Sequence, residues 1–267
     1  MKVIIITGNE IRHEYFRKKV ASDKQISVIA SFCEGSERSL ANRMLMDAKT
    51  SQLEIQHVNA RLQSETDFFS EYIENVEDKS KPNFINKGDI NELKIVKKIL
   101  ELNPDLLVCY GSSLIKSELL TKFENKFLNV HLGLSPYYRG SGTNVWPLIN
   151  CEPDMVGATF MHIDAGIDTG EIIHQIRADM FLGDSPHTIG NRLIRKMTST
   201  YAEIIIKFPY LEREKQPVNE GKLYLKKDFT SDSCKKLYLN FEQGMIENYI
   251  NSSKQLPYIV NNKGLLE

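Results

Sequence analysis

The chain has 267 residues, 41% hydrophobic and 26% charged, with a formal net charge of −1. That composition excludes a disordered or fibrous chain and suits one substantial core with an accessory piece. A pI near 6.6 argues against a broad nucleic-acid surface, which would need clustered Lys and Arg. Cys33, Cys109, Cys151 and Cys234 show no C-x-x-C spacing, so neither a zinc site nor a disulfide framework is expected. They read as buried thiols of a reducing compartment. The apolar run in M-K-V-I-I-I-T is too short for a signal peptide or a membrane span, so a cytoplasmic protein is expected.

Residues 3–6 form a β-branched run followed by Thr7 and Gly8, the pattern of a buried parallel strand ending in a tight turn. A helix over 12–21 and a strand over 26–32 complete a β-α-β opening. Residues 34–80 are polar, with sparse apolar positions such as Leu40, Met44, Leu62 and Phe69. They read as helices and loop over the sheet, a lid or a partner surface. A short strand in N-F-I-N precedes a helix capped by Asp89, with Leu93, Val96, Ile99 and Leu100 as its apolar stripe and Pro104 beyond its end.

An interior strand is expected over 106–110, a short helix over 116–123 and a strand over 127–131. A turn over 140–143 then leads into a helix containing Trp146. The strand-like runs 156–163 and 171–177 are joined by D-A-G-I-D-T-G, a link short enough to imply an antiparallel hairpin. Ser185-Pro186 starts a helix in which Ile189, Leu193, Met197, Tyr201 and Ile205 recur every fourth residue. The fold class is therefore α/β, a Rossmann-like mixed and mostly parallel sheet with helices on both faces. Residues 1–207 form the core. Residues 208–267, with K-L-Y-L-K-K-D-F and a helical-looking run F-E-Q-G-M-I-E-N-Y-I, form a small C-terminal extension packed on that core or on a second subunit.

Asn129, His131 and Asp168 stand where strands give way to loops, and such polar groups in an α/β sheet converge on a cleft at the sheet edge. Making an amide from an amine and an activated carbonyl needs a donor for the oxyanion, a proton carrier and an anchor for that carrier. The three residues supply those types. No G-x-S-x-G elbow surrounds Ser135 or Ser141, so a covalent acyl-enzyme is not indicated. G-N-E-I-R-H has one glycine where a dinucleotide fingerprint needs three, which removes a nicotinamide cofactor.

The runs D-L-L-V-C-Y-G, N-V-H, L-S-P-Y-Y-R-G and H-I-D-A-G-I-D-T-G-E-I-I resemble, in order and spacing, the formyltransferases that use 10-formyltetrahydrofolate. The resemblance covers roughly residues 1–207 and implies that Asn129, His131 and Asp168 are the catalytic trio. It also places the pterin of the folate against backbone near Ser112, Ser113, Leu114 and Ile115, and against the loop of Asp164, Ala165, Gly166, Ile167 and Asp168. One departure is Gly133-Leu134-Ser135-Pro136, where the family often has Ser-Leu-Leu-Pro.

For the acceptor, Arg139 beside Tyr138 could meet a phosphate, or it could be a surface arginine over aromatic rings. Asn9 and Arg12 could touch the acceptor, with an exposed helix-start pair as the plainer reading. Asp164 reads as a turn former, His162 and His174 as structural or cleft-wall histidines, and the basic-acidic mix over 207–227 as a solvated face. No metal is expected.

Members of the family act on glycinamide ribonucleotide, methionyl-tRNA or nucleotide-linked amino sugars. Glu10 in the first loop would repel a phosphate held there, and the short C-terminus does not obviously supply a tRNA-binding domain. A formyltetrahydrofolate hydrolase is expected to open with an extra regulatory domain, whereas this sequence goes straight into the core strand. The resemblance thus points to a homodimeric sugar N-formyltransferase serving surface polysaccharide. A methionyl-tRNA enzyme, a hydrolase, an enzyme for a small amine and a non-catalytic folate-binding paralogue stay open.

Overall fold

Alternation along the first strand, β1 (Lys2–Thr7), divides the core. Val3 and Ile5 enter one hydrophobic cluster and Ile4 and Ile6 the other, all four without solvent exposure, because successive strand side chains point to opposite faces. The computed structural model describes residues 1–37, 39–217, 221–253 and 255–265. Parts of the expected extension, 218–220, 254 and 266–267, lie outside the described residues.

In chain order β1 is followed by α1 (Ile11–Ser22), β2 (Ser27–Glu34), α2 (Leu40–Met46), α3 (Gln52–Asn75), β3 (Pro82–Ile85), α4 (Leu93–Leu102), β4 (Leu106–Tyr110), α5 (Ser117–Lys122) and β5 (Phe127–His131). Then come β6 (Tyr138–Gly140), α6 (Trp146–Ile149), β7 (Gly157–His162), β8 (Ile172–Arg177), α7 (Pro186–Lys207), β9 (Lys222–Tyr224), α8 (Ser231–Glu242) and α9 (Met245–Ile250). The main sheet has seven strands in the order β3-β2-β1-β4-β5-β7-β8. The first five run parallel and the β5-β7 and β7-β8 pairs antiparallel, so the sheet is mixed and mostly parallel.

The chain winds outward from β1 through β2 to β3 and then returns to β4 on the other side of β1. That reversal opens a crevice beyond the carboxyl ends of β1, β4 and β5. Over one face α1, α3 and α7 pack against one another. Ile189, Leu193, Met197, Tyr201 and Ile205 of α7 are all buried there, as their spacing requires. The opposite face is covered by α4 and α5 through Val96, Ile99 and Leu119.

Four expectations need correction. Residues 52–75 are not a loose lid: α3 has a Ser51/Glu54 capping box, and Phe69, with no exposure, packs on Tyr15 at 4.8 Å, worth roughly 2–3 kcal/mol of burial. Asp89 does not cap α4. It sits in a 3-10 turn after Gly88 (φ 100), and Glu92 is the N-cap. That extra turn delays the helix start and leaves Leu93 57% exposed. The helical run near the C-terminus is broken at Gly244, whose left-handed φ of 75° separates α8 from α9.

Beyond α7, Tyr224, Phe229, Cys234, Leu237, Met245, Ile246 and Leu265 join the larger cluster of the core. Strand β9 runs parallel to β6, and backbone of Val260 pairs with Gln175 on the edge of β8.

Candidate active site

Phe127, Asn129 and His131 share one face of β5. Phe127 belongs to the smaller core cluster, while Leu128 and Val130 face the larger one. At the end of the strand Asn129 and His131 reach past that core into a cleft of about 660 Å³. Asn129 is half-buried between Cys109 of β4 and Met161 of β7. Among the described residues no group hydrogen-bonds its side-chain amide, which leaves two N–H donors at the cleft wall.

His131 is buried, with Nε2 engaged and Nδ1 facing a carboxylate. Nε2 lies 2.9 Å from the carbonyl oxygen of Tyr138 and 3.1 Å from Thr143 Oγ1. Thr143 gives its own hydrogen to the Leu132 carbonyl at 2.6 Å, so its oxygen faces the ring as an acceptor. Two acceptors at Nε2 place the proton there in the neutral ring. Nδ1, the nitrogen left open, faces Asp168 Oδ2 at 3.3 Å, so a proton arriving at Nδ1 lands between imidazole and carboxylate. Gly133 lies against this ring: a Cβ there would stand 2.6 Å from Nε2 and 2.6 Å from the Tyr138 oxygen. The departure at this position therefore makes room for the histidine's clamp.

Asp168 adopts a left-handed φ of 54°, and its Oδ2 accepts from the Gly140 N–H at 2.9 Å. Asp164 closes the start of the same loop, accepting from the Gly166 N–H at 2.9 Å and from Thr169 Oγ1 at 2.7 Å, so it is placed as a turn former. Gly170 is required by close approach, since a Cβ there would lie 1.8 Å from the His162 carbonyl.

On the other wall, Ser112, Ser113, Leu114 and Ile115 follow Gly111, and all line the cleft, as do Asp164, Gly166, Ile167 and Asp168. Ala165 is exposed and not part of the wall. Two main-chain groups of this loop are already engaged: Glu34 Oε2 accepts from the Ser113 N–H at 2.5 Å, and the Leu114 carbonyl accepts from Asn91 Nδ2 at 3.0 Å. Glu34, fully buried, also accepts from the Gly88 N–H at 2.8 Å and from Lys87 Nζ at 3.2 Å. A neutral heterocycle fits this side, where small residues and backbone line a wall that Ile115 and Ile167 make partly apolar.

The far half of the cleft is a charge network at the start of α1. Arg12 Nη1 reaches both Glu65 oxygens at 3.0 Å, Arg12 Nη2 lies 3.2 Å from Glu10 Oε2, and Arg61 Nε lies 2.9 Å from Glu65. His13 Nδ1 stands 2.7 Å from Glu10 Oε2. Burial alone would raise the Glu10 carboxyl, but Arg12 and His13 outweigh it and hold it well below the usual range. Burial, with Arg12 beside it, pushes His13 down to about 4, so this ring is neutral. His57 and His187 line the same half with ring centroids 4.8 Å apart. Burial first, then charged or titratable neighbours, lowers them to about 3 and about 4. His187 Nε2 is buried with no hydrogen-bond partner among the described residues.

The structure changes the acceptor assignments. Arg12 lines the cleft, yet it is not an exposed helix-start residue: its side chain is 13% exposed and committed to Glu10 and Glu65. Asn9 is exposed and off the wall. Tyr138 turns its ring away, stacking on Tyr224 and donating to Glu152, and only its carbonyl serves His131. Arg139 lies in the β6-β9 ribbon, outside the cleft lining, with Nε buried and, among the described residues, unpartnered. Gln216, in the stretch read as a solvated face, instead donates to the Asp168 and Gly170 carbonyls.

Thr143, Glu34, Glu65 and Gln216 are site-supporting residues that the pattern did not single out. Glu34 alone carried a usable signal, a carboxylate at a strand end like those that drew attention to Asn129 and His131.

The profile of the formyl transferase family matches residues 19–205. A methionyl-tRNA formyltransferase from Finegoldia magna is 31% identical over 148 residues, covering 52% of this chain and 46% of the relative; the chain thus spans about half the length of that relative. Among solved structures, a sugar N-formyltransferase from a Shewanella species is similar with a TM-score of 0.55 and 19% identity, covering 86% of this chain and 78% of that one. An N-formyltransferase from Helicobacter canadensis, in complex with folinic acid and dTDP-3-aminofucose, has a TM-score of 0.54 and 17% identity, covering 89% and 79%. At such identities these structures share the fold.

Proposed function

Since the chain belongs to the formyl transferase family, we propose that it is an N-formyltransferase, moving the formyl group of 10-formyltetrahydrofolate to the primary amine of a nucleotide-linked amino sugar. The observation that carries this reading is the meeting of an unpaired Asn129 amide, a tautomer-fixed His131 and Asp168 in one cleft.

Asn129 aims its amide hydrogens at the oxygen that gathers negative charge as the amine nitrogen bonds to the formyl carbon. One such donor is worth about 10²- to 10³-fold in rate. His131 Nδ1 accepts the proton that the amine gives up, and Asp168 holds the imidazolium. His131 then returns that proton to the folate nitrogen as its bond to the formyl carbon breaks, leaving a formamide and tetrahydrofolate. The folate supplies only the activated formyl group.

Two features support the amino sugar. Glu10 keeps a negative charge at the first loop, which disfavours an acceptor phosphate at that point. The neutral rings of His57 and His187, with Phe229, give the far half of the cleft flat surfaces suited to a base or sugar. The similar structures from Shewanella and Helicobacter canadensis are a sugar N-formyltransferase and an N-formyltransferase in complex with folinic acid and dTDP-3-aminofucose. The same reading carries a homodimer and a product for surface polysaccharide. A second reading, methionyl-tRNA as acceptor, is favoured by the name of the Finegoldia relative.

The test supplies 10-formyltetrahydrofolate with nucleotide-linked amino sugars, small amines and methionyl-tRNA, and follows tetrahydrofolate release. Release only with the tRNA would replace the sugar reading. Release with no acceptor present would indicate a hydrolase, and no release with any of the acceptors a binding protein. His131→Ala and Asp168→Ala should each lose most of kcat while still binding folate; near-normal turnover in either would refute the mechanism.

A further inference from the structure

The Asp168 loop has little of its own to hold it. Asp164, Ala165, Gly166 and Ile167 are exposed, and Asp168 occupies a left-handed φ of 54°, which a residue with a Cβ keeps only when its surroundings enforce it. The Asp164 turn secures the first half through Gly166 and Thr169. The second half is secured from outside the domain core. Gln216 Nε2 donates to the Asp168 carbonyl at 3.1 Å and to the Gly170 carbonyl at 2.7 Å, so one amide group spans two carbonyls two residues apart.

Gln216 is itself well anchored. Glu214 and Ile172 exchange two backbone hydrogen bonds of 2.8 Å, Asn262 Nδ2 donates to the Glu212 carbonyl at 2.9 Å, and Arg213 pairs with Glu171 at 3.4 Å. The clamp therefore starts two residues beyond a fixed point on the edge of β8. It lies past residue 205, where the family match ends.

We infer that Gln216 is a positioning residue for Asp168, so that the tail completes the catalytic centre instead of merely covering the core. This rests on the proposed formyl transfer. Asp168 Oδ2 both accepts from Gly140 N–H at 2.9 Å and faces His131 Nδ1 at 3.3 Å. Once the Asp168 carbonyl is released, its backbone is free to leave the left-handed region, and the carboxylate moves off both partners.

Gln216→Glu keeps the shape and removes both donors, Gln216→Met removes all polarity, and Gln216→Lys restores donors. The Glu and Met variants should lose roughly 10- to 100-fold in kcat, as displaced catalytic groups do, with the folate KM nearly unchanged. The Lys variant should recover most of that loss. In an Asp168→Ala background, Gln216→Glu should cost nothing further; additive losses would assign Gln216 a merely structural role and overturn the inference. A readout independent of turnover is hydrogen exchange at the Gly140 amide, expected to quicken in Gln216→Glu while interior β5 amides stay protected. Unchanged Gly140 exchange would also overturn it. If the wild-type protein formylates no acceptor, the functional reading fails, while Gly140 exchange still decides whether Gln216 positions Asp168.

Discussion

Replacing Glu65 by Gln would remove one negative charge from a buried ionic cluster of the cleft. Glu65 is 2% exposed and takes both Arg12, at 3.0 Å to each oxygen, and Arg61 at 2.9 Å. Among the described residues, the variant leaves Glu10, at 3.2 Å, as the carboxylate paired with the 13%-exposed Arg12. Removing one partner of a buried pair costs about 3–5 kcal/mol, and the surviving Glu10 contact puts the expectation near the lower end. At about 2–4 °C per kcal/mol for a chain of this size, the melting temperature should fall by roughly 6–12 °C at neutral pH. Calorimetric unfolding checks this, with urea denaturation as an independent measure.

The pH dependence sharpens the test. Burial would raise the Glu65 carboxyl, but Arg12 and Arg61 override it and hold it below its ordinary value. Its contribution is therefore present above the unfolded value of about 4.3 and is lost as pH falls through the lower folded value. The gap between wild type and variant should narrow in strong acid. A neutral-pH loss under about 2 °C would refute the buried-pair reasoning, and so would a gap that persists undiminished in acid.

Gly133→Ala should retain the fold yet lower kcat by roughly 100-fold, because the new Cβ stands 2.6 Å from both His131 Nε2 and the Tyr138 oxygen; a steady-state assay showing normal turnover would contradict this. Glu34→Ala orphans the Ser113 and Gly88 N–H groups and should weaken folate binding about tenfold, read by calorimetric titration, with a stability loss of about 2–4 kcal/mol. Burial lowers His13, His162 and His187 to about 4 and His57 to about 3, so the folded state binds fewer protons than the unfolded one. Stability should then fall as pH drops from about 7 toward 4, by roughly 1–2 kcal/mol per histidine at pH 5; a melting temperature flat between pH 7.5 and 5 would exclude it.

Much of the fold was legible because local pattern and burial agree. The continuous apolar strands, the four-residue recurrence on α7 and the short link between β7 and β8 each admit few structures. Leu93 and the broken helix at Gly244 were misread where a turn residue with a left-handed φ, Gly88 or Gly244, reset the start of a helix. Residues 52–75 looked like a lid because a helix buried along a narrow stripe is mostly polar in sequence, and Val58 and Phe69 suffice to fix it.

By itself the sequence determined the strand that carries Asn129 and His131, their shared face, and the hairpin that carries Asp168, since each follows from a period of two or from a loop too short for another path. Only the tertiary structure decided how those groups are held. Thr143 and the Tyr138 carbonyl choose the proton-bearing nitrogen of His131, Glu34 fixes the Ser113 loop, Arg12 is spent on Glu65, and Gln216 clamps Asp168 from 48 positions away. Such contacts join residues of different elements through individual side chains, and no local periodicity records them.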